Sequence, residues 1–168
     1  VNASPDYQAG DGPDVVLTFN ANAGDPVSVS IHGSRMAVVE DHSVYIYDTI
    51  PTTSPTQGIN YRAGNLPDCT AGRMNGPRAA YISPLGHVIV ADTNNNRVLI
   101  WNLPAAPDLL RDAATVVGQP DKVTCTAGSA SDQSLSEPTS IWSDGTKLIV
   151  VDQGNNRVLI WNRFPVGD

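Results

Sequence analysis

Two short runs near the end of the sequence are apolar at nearly every position. Lys147–Val151 reads KLIVV, Arg157–Asn162 reads RVLIWN, and the segment 153–156 between them (QGNN) has the composition of a turn. Because side chains alternate along a strand, Val158 and Leu159 point to opposite faces of this hairpin. A sheet with water on one face would alternate apolar and polar residues. Apolar residues on both faces instead predict a small sheet sandwiched between two similar sheets.

The same pattern occurs three times along the chain. Residues 91–102 read ADTNNNRVLIWN, and residues 151–162 read VDQGNNRVLIWN, 60 positions later with nine of twelve residues identical. A weaker copy at 38–48 keeps the apolar pattern around a turn that is two residues shorter. A proline and a glycine precede the acidic residue of each copy at nearly constant spacing: Pro26 and Gly33, Pro77 and Gly86, Pro138 and Gly145. A repeat of this length built from strands predicts stacked β units.

Each unit also needs an outer strand. Residues 114–118 (ATVVG) supply it for the second unit, and residues 58–64 (GINYRAG) supply it for the first. No comparable segment follows Asn162, whereas residues 14–19 (DVVLTF) form an outer-type strand without a unit of its own. We therefore predict an all-β chain of three four-stranded β-propeller blades. The predicted regions are an N-terminal extension at 1–13 and a propeller region at 14–168, with blade 1 at about 26–64, blade 2 at about 77–119, and blade 3 at about 138–162 completed by an outer strand such as 14–19.

The turn sequences resemble those of the NHL repeat. The matching residues are Asp92, Asn95, Asn96, Arg97 and Val98 in the second unit, and Asp152, Asn155, Asn156, Arg157 and Val158 in the third. The segment 116–121 (VVGQPD) is similar to the linker of bacterial repeats of this kind. The first unit departs from the pattern, because Glu40 replaces the aspartate and the Asn-Asn-Arg turn is missing. The resemblance implies a six-bladed propeller whose turns present a binding surface, with only occasional members acting as enzymes.

Three blades make half of a six-bladed ring. An isolated half ring would expose the apolar faces of its end blades and leave strand edges unpaired. Two copies that close head to tail would remove both defects, with each strand 14–19 completing the last blade of the other copy. On this interpretation the partner is the chain itself, as a homodimer or larger assembly. The alternative is that these residues belong to a longer polypeptide that supplies the other blades.

Composition excludes some partners. The 168-residue chain carries a net charge of −7 and contains only two lysines, so it lacks the clustered cations that nucleic-acid binding needs. It contains no run of 18 apolar residues, so no membrane span is expected. The low lysine content and the abundance of Asn, Asp, Gly and Thr favour an extracellular or periplasmic location.

The two cysteines occupy corresponding places in successive units. Cys69 and Cys125 each begin the tetrapeptide Cys-Thr-Ala-Gly. Equivalent outer positions on adjacent blades are expected to lie beyond the roughly 7 Å between Cα atoms that a disulfide tolerates. We therefore expect two separate, partly buried cysteines inherited by duplication, with a disulfide between them as the alternative.

The turns hold the candidate site residues. A ligand or partner surface is predicted at Asn94, Asn95, Arg97, Gln153, Asn155 and Arg157, and a structural role in the turns at Asp92, Asp152, Asn96 and Asn156. For Arg97 and Arg157, a purely structural role in which each arginine ties its turn to an adjacent blade is favoured over contact with a ligand. Asp92, Asn94 and Asn96 resemble the start of a calcium loop, but Arg97 stands where such a loop needs glycine, so no metal site is predicted.

No catalytic constellation is visible in the sequence. His32 and His87 fall at one end of their units and His42 at the opposite end, so the three cannot easily meet at one metal ion. Neither a Gly-x-Ser-x-Gly motif nor a glycine-rich phosphate loop occurs. We expect non-catalytic binding or structural assembly on an NHL-type propeller scaffold, with no catalytic residue and no cofactor. Two alternatives remain open: a metal-dependent lyase or hydrolase on a propeller, and a carbohydrate-binding propeller with exposed Trp or Tyr lining one face.

Overall fold

The chain folds almost entirely into strands. The computed structural model describes residues 13, 15–19, 24–53, 61–64, 67–104, 109–131 and 133–167. Across these ranges there is no α-helix, and two short 3-10 turns are the only helical segments. No helix among the described residues has the length and apolarity that crossing a membrane requires. The all-β prediction is confirmed.

The strands assemble into three successive sheets. In chain order they are β1 (Pro26–His32), β2 (Arg35–Glu40), β3 (Val44–Tyr47), β4 (Tyr61–Ala63), β5 (Ala79–Ile82), β6 (His87–Asp92), β7 (Arg97–Asn102), β8 (Leu109–Leu110), β9 (Thr115–Val117), β10 (Pro138–Ser143), β11 (Leu148–Asp152) and β12 (Arg157–Trp161). Strands β1–β4 form antiparallel blade 1, to whose edge β8 adds a short parallel strand that the sequence did not predict. Strands β5, β6, β7 and β9 form blade 2, and β10–β12 form the described part of blade 3. The prediction of three propeller blades is confirmed.

A glycine lies in the turn between the first and second strands of each of the three blades. The φ angles of Gly33, Gly86 and Gly145 are 60°, 83° and 89°. Residues with a Cβ atom are strained in this left-handed region, whereas glycine adopts it freely. The recurrence of glycine at this place in the repeat therefore has a backbone cause.

Two apolar cores lie between the blades. The core between blades 1 and 2 contains Ala37, Val39, Val44 and Ile46 from blade 1 and Val88, Val90, Leu99 and Trp101 from blade 2. The core between blades 2 and 3 contains Ile89, Ala91, Val98 and Ile100 from blade 2 and Ile141, Leu148 and Val150 from blade 3. Alternate residues of β6 and β7 thus enter different cores, which explains why these strands are apolar on both faces.

Cys69 and Cys125 form a disulfide, so the expectation of two separate cysteines is wrong. Their Cα atoms are 6.1 Å apart, within the range that a disulfide tolerates. Neither cysteine lies on a strand; each lies in the connector that leads from one blade to the next. Arg97 donates hydrogen bonds to both connectors, at the carbonyl oxygens of Thr70 and Lys122. This shared anchor brings the two cysteines closer than equivalent positions on two blades would lie.

Candidate interaction surface

A buried ion pair organises the turn between β6 and β7. Arg97 Nε lies 2.8 Å from Asp92 Oδ2, and both side chains are completely buried. The Asp92 carboxylate also accepts the backbone N–H of Asn75 at 2.7 Å and Asn95 Nδ2 at 2.9 Å. Burial raises the pKa of Asp92, and the Arg97 guanidinium and these hydrogen bonds act in the opposite direction. The carboxylate therefore finds its charge and hydrogen-bond partners inside the protein.

Blade 3 repeats this turn in a more exposed form. Arg157 Nε lies 2.7 Å from Asp152 Oδ2, and 23% of the Arg157 side chain is exposed. Arg157 Nη2 donates to the carbonyl oxygens of Ser131 and Ser134, both at 2.7 Å. Ser136 donates its backbone N–H to Asp152 Oδ1 at 2.7 Å. Arg157 Nη2 thus contacts the connector that precedes its blade, whereas Arg97 contacts the connectors on both sides of its blade.

These contacts determine how much of the predicted partner surface is accessible. Its six side chains differ in exposure: Arg97 and Asn95 are buried, Asn155 and Arg157 are half-buried, and Asn94 and Gln153 are exposed. The two arginines hold the connectors against the turns. Of the predicted surface, Asn94 and Gln153 are the side chains most available to a partner.

An asparagine closes each of these turns in the left-handed conformation. The φ angles of Asn96 and Asn156 are 56° and 53°. Asparagine tolerates this region better than most residues because its short polar side chain can bond locally. Asn96 Nδ2 donates to the Cys125 carbonyl oxygen at 3.1 Å, and Asn96 Oδ1 accepts the backbone N–H of Glu137 at 3.0 Å. Asn96 therefore ties its turn to the connector that leads into blade 3.

Blade 1 lacks this ion pair. Glu40 occupies the position of Asp92, is completely buried, and has no hydrogen-bond partner of normal geometry at either carboxylate oxygen. Burial raises the pKa of Glu40, while Tyr45 and the Arg62 guanidinium lower it in part. Arg62 lies over the Tyr45 ring, 5.3 Å from its centroid, and donates to Ser43 Oγ at 3.2 Å. The shorter turn of blade 1 thus leaves its buried carboxylate less well compensated.

The histidines do not form a metal site. His87 stacks on Phe164 with ring centroids 4.5 Å apart, and its Nδ1 lies 3.0 Å from Ser83 Oγ. Burial lowers the pKa of His87. His42 lies in the turn between β2 and β3, at the other end of its blade. In the part of the chain that the structure describes, no three His, Cys, Asp or Glu side chains are arranged to hold a metal ion.

An apolar sheet surface is exposed on blade 3. We call its apolar part the back face; it consists of Trp142, Ile149, Val151, Val158 and Ile160, which the strand register places on one side of the sheet beside the exposed Ser140. Val158 is 57% exposed and Ile160 is 59% exposed. The residues at the same repeat positions are 0–2% exposed in the other blades: Val44 and Ile46 in blade 1, Val98 and Ile100 in blade 2. The back face therefore has the composition of a core between blades.

A second apolar sheet surface lies on blade 1, at the opposite end of the row of three blades. We call it the front face; it consists of Val27, Val29, Ile31, Met36, Val38, Tyr45 and Tyr47. Leu17 and Phe19 pack against the last four of these, with the Phe19 and Tyr45 ring centroids 5.4 Å apart. Val29 and Ile31 remain 60% and 55% exposed. The front face is thus half covered by the chain's own N-terminal segment.

The N-terminal segment does not form the predicted strand in this structure. Residues 15–19 belong to none of the described strands or sheets, and Asp14 lies outside the described residues. The completion of blade 3 by residues 14–19 stays a prediction.

The outer edge of β12 is free in the described part of the chain. β3 pairs with β4, and β7 pairs with β9, whereas β12 pairs only with β11. Beside this edge lies an open groove of about 600 Å³, lined in part by Val117, Gln119, Trp161 and Phe164. An edge of unpaired N–H and C=O groups is a template for another strand.

Residues 74–101 match the family model of the NHL repeat. This segment covers nearly all of the first three strands of blade 2, so the chain carries an NHL repeat, as its turn sequences predict. Among solved structures, the chain is similar to the computationally designed Ika4 protein, with a TM-score of 0.44 and 12% sequence identity over 90% of this chain and 98% of that chain. No curated protein sequence matches the chain significantly.

Sequence reasoning anticipated exposed end faces but named none of their residues as a site. The repeated polar residues of the turns predicted a partner surface there, but many of their polar groups form hydrogen bonds within the protein, as the Arg97 guanidinium does. The available signal was that Val158 and Ile160 repeat Val98 and Ile100, apolar residues on one face of a strand that is apolar on both faces.

Proposed function

We propose that the chain is a non-catalytic assembly module that binds a blade of a second copy through the back face of blade 3. The observation that carries the proposal is the contrast between Val158 and Ile160, which are more than half exposed, and their buried counterparts in the other two blades. The NHL repeat supports it, since propellers of this kind commonly mediate protein interactions.

The chemistry of the back face favours a sheet as its partner. Its five residues are branched aliphatic side chains and one tryptophan, with no charged group among them. The cores between the chain's own blades join surfaces of the same kind. The front face of blade 1 carries aliphatic and tyrosine side chains at the positions that such a core requires.

The magnitude of the apolar contribution suggests that the contact has a second component. Fully burying one Val, Leu, Ile or Phe side chain stabilises by about 1.5–3 kcal/mol. Covering the exposed half of several such residues therefore contributes several kcal/mol. Association costs about 4–15 kcal/mol in lost freedom of motion. Backbone hydrogen bonds at the free edge of β12 would supply an additional stabilising contribution.

We also propose a location outside the cytoplasm. The Cys69–Cys125 disulfide supports this, because disulfides persist in oxidising compartments and are rare where thiols are kept reduced. The location is tested by comparing the redox state of the two cysteines in protein isolated, with rapid thiol blocking, from its native source. Free thiols in freshly blocked material would contradict the proposal.

Trp142 offers a direct test of the assembly function. Its side chain lies on the back face and is 43% exposed, whereas Trp101 is 3% exposed. We expect acrylamide quenching of tryptophan fluorescence to weaken as the protein concentration rises from nanomolar to high micromolar. The change should be smaller in Trp142→Phe, because only Trp161, which is half-buried beside the β12 edge, would then report on the contact.

Two aspartate variants serve as a matched pair for this measurement. Ile160→Asp places a charge on the back face and should abolish the concentration dependence. Val123→Asp alters a connector residue of similar exposure, 61% against 59%, and should retain it. Quenching that is independent of concentration in the wild type would refute the proposed function.

A further inference from the structure

We infer that residues 15–19 of one copy form the missing outer strand of blade 3 in a second copy. The inference rests on the proposed function and adds to it the segment that makes the contact, the register of pairing and the closed form of the assembly. Four observations carry it: the location of the segment, the alternation of its side chains, the register of the other outer strands, and the free edge of β12.

The first observation is where residues 15–19 lie. Leu17 and Phe19 contact Tyr45 and Tyr47 on the front face of blade 1. At the same repeat positions in blade 2, Leu99 and Trp101 share a core with Tyr61 and Ala63 of β4. In blade 3, Leu159 and Trp161 pack on the core that contains Val117 of β9. Strands β4 and β9 are the outer strands of the preceding blades. Residues 15–19 therefore lie where the outer strand of a blade preceding blade 1 would lie.

The second observation is the alternation of exposure along the segment. Leu17 and Phe19 are half-buried against blade 1, while the Val16 side chain is 50% exposed and Thr18 is exposed. An outer strand of this fold shows the same alternation. Thr115 and Val117 of β9 are buried on the side of the following blade, and Val116 packs on the core shared with the preceding blade. The exposed side of residues 16 and 18 is thus the side that would meet the preceding blade.

The third observation is a common register. In blade 1, Ala63 is opposite Val44 and Tyr61 is opposite Ile46; in blade 2, Val117 is opposite Val98 and Thr115 is opposite Ile100. The equivalent antiparallel pairs on β12 place Phe19 opposite Val158, Thr18 opposite Leu159, and Leu17 opposite Ile160. This register turns Thr18 towards the groove beside Trp161.

The sequence after the segment agrees with this register. Glycine follows each outer strand, as Gly64 with φ 72° and Gly118 with φ 93°. Asn20 follows Phe19, and asparagine is among the few residues with a side chain that adopt this left-handed region readily.

Reciprocal exchange closes the assembly. Each copy gives one strand and receives one, so both free β12 edges become paired. The back face of each copy meets the front face of the other, and the two cores formed between copies resemble those within each copy. The product is a six-bladed ring with a twofold axis, the closed symmetry that is commonest among homo-oligomers.

Disulfide trapping tests the register directly. Residues directly opposite on antiparallel strands have Cβ atoms about 4.5–5.5 Å apart, close enough for engineered cysteines to react after small adjustments. Thr18→Cys protein mixed with Leu159→Cys protein and oxidised should give a covalent dimer on a non-reducing gel. Thr18→Cys mixed with Val123→Cys, which lies in a connector and not on β12, should not. A second pair, Phe19→Cys with Val158→Cys, uses an exposed acceptor position and covers the case in which Leu159→Cys fails to fold.

The mass of the wild-type chain in solution completes the test. Sedimentation equilibrium should give twice the chain mass of 17.8 kDa. A monomer at micromolar concentration would overturn both the inference and the proposed function; it is the result expected if a longer polypeptide supplies the missing blades. A dimer in which neither designed pair traps better than the control would overturn the strand exchange alone and leave the assembly function standing. Open polymers of increasing mass would overturn the closed ring.

Discussion

The Nε atom of Arg97 lies 2.8 Å from Oδ2 of Asp92, with both side chains completely buried. Arg157 and Asp152 make the same contact at 2.7 Å in blade 3, but 23% of the arginine side chain is exposed. The same ion pair therefore occurs twice in the chain, once completely buried in blade 2 and once with a partly exposed arginine in blade 3.

Arg97→Met should be strongly destabilising. It leaves the Asp92 carboxylate buried without its charge partner, a change that costs about 3–5 kcal/mol in comparable buried pairs. Arg157→Met should cost clearly less, because water reaches that site. Urea unfolding at neutral pH measures both free energies. Equal losses for the two variants would show that burial does not determine the contribution of this pair.

Reduction of the disulfide should lower the stability by several kcal/mol. Cys69 and Cys125 are separated by 56 residues, and a closed loop of this length reduces the entropy of the unfolded chain by an amount worth about 4 kcal/mol. The Tm of the wild type in reductant should fall to that of the Cys69→Ser/Cys125→Ser double variant, which reductant should not change. A wild-type Tm that is insensitive to complete reduction would contradict this expectation.

Glu40→Gln should raise the Tm at pH 7. Because burial raises the pKa of Glu40, the folded chain holds this proton more tightly than the unfolded chain does. Stability from the protonated group is present below the ordinary value of 4.5 and is lost as the pH rises through the folded-state value. The advantage of Glu40→Gln should therefore shrink as the pH falls towards 4.5.

Thermal melts from pH 4 to pH 8 measure this effect. Asp25→Asn, a change at an exposed carboxylate, is the control and should have little effect across the range. A Glu40→Gln curve parallel to that of the wild type would exclude Glu40 as the cause of the pH dependence.

Phe19→Ala should weaken both folding and self-association. The variant loses the Phe19–Tyr45 ring contact and part of the cover over the front face. Aromatic pairs contribute about 0.5–1.5 kcal/mol beyond their buried area. The free energy of unfolding of Phe19→Ala should therefore be about 1–2 kcal/mol lower than that of the wild type. Thr18→Ala, at the exposed neighbouring position, should change the unfolding free energy by less than about 0.5 kcal/mol. If both variants match the wild type in urea unfolding and in sedimentation, the segment does not stabilise blade 1.

The blades could be predicted from sequence because their physical cause is local. Strands that are apolar on both faces require neighbours on both sides, and the turns between them carry Gly33, Gly86 and Gly145, whose positive φ angles recur at one place in each unit. The outer strands were also anticipated. β9 is Thr115–Val117, one residue shorter at each end than the predicted 114–118, and β4 is Tyr61–Ala63, with residues 58–60 of the predicted strand outside the described residues.

The connectors could not be predicted because their course depends on long-range contacts. Cys69 and Cys125 meet because Arg97 holds both connectors through backbone carbonyl oxygens, and no local pattern encodes such contacts. A structural role for Arg97 was anticipated from the sequence, but its complete burial was not, since arginine is mostly exposed unless it is paired. The parallel strand β8 pairs with the outer edge of blade 1, although its two residues lie within the segment of blade 2 and carry no repeat pattern of their own.

The disulfide has a mechanical consequence. Cys69 and Cys125 flank blade 2, so the covalent loop between them contains every strand of that blade. A force pulling the two ends of the oxidised chain apart would travel through the sulfur–sulfur bond and bypass blade 2. Because 56 residues separate the two cysteines, the fully extended oxidised chain would be about 190 Å shorter than the reduced chain. Blade 2 is thus shielded from tension that would unravel its neighbours first.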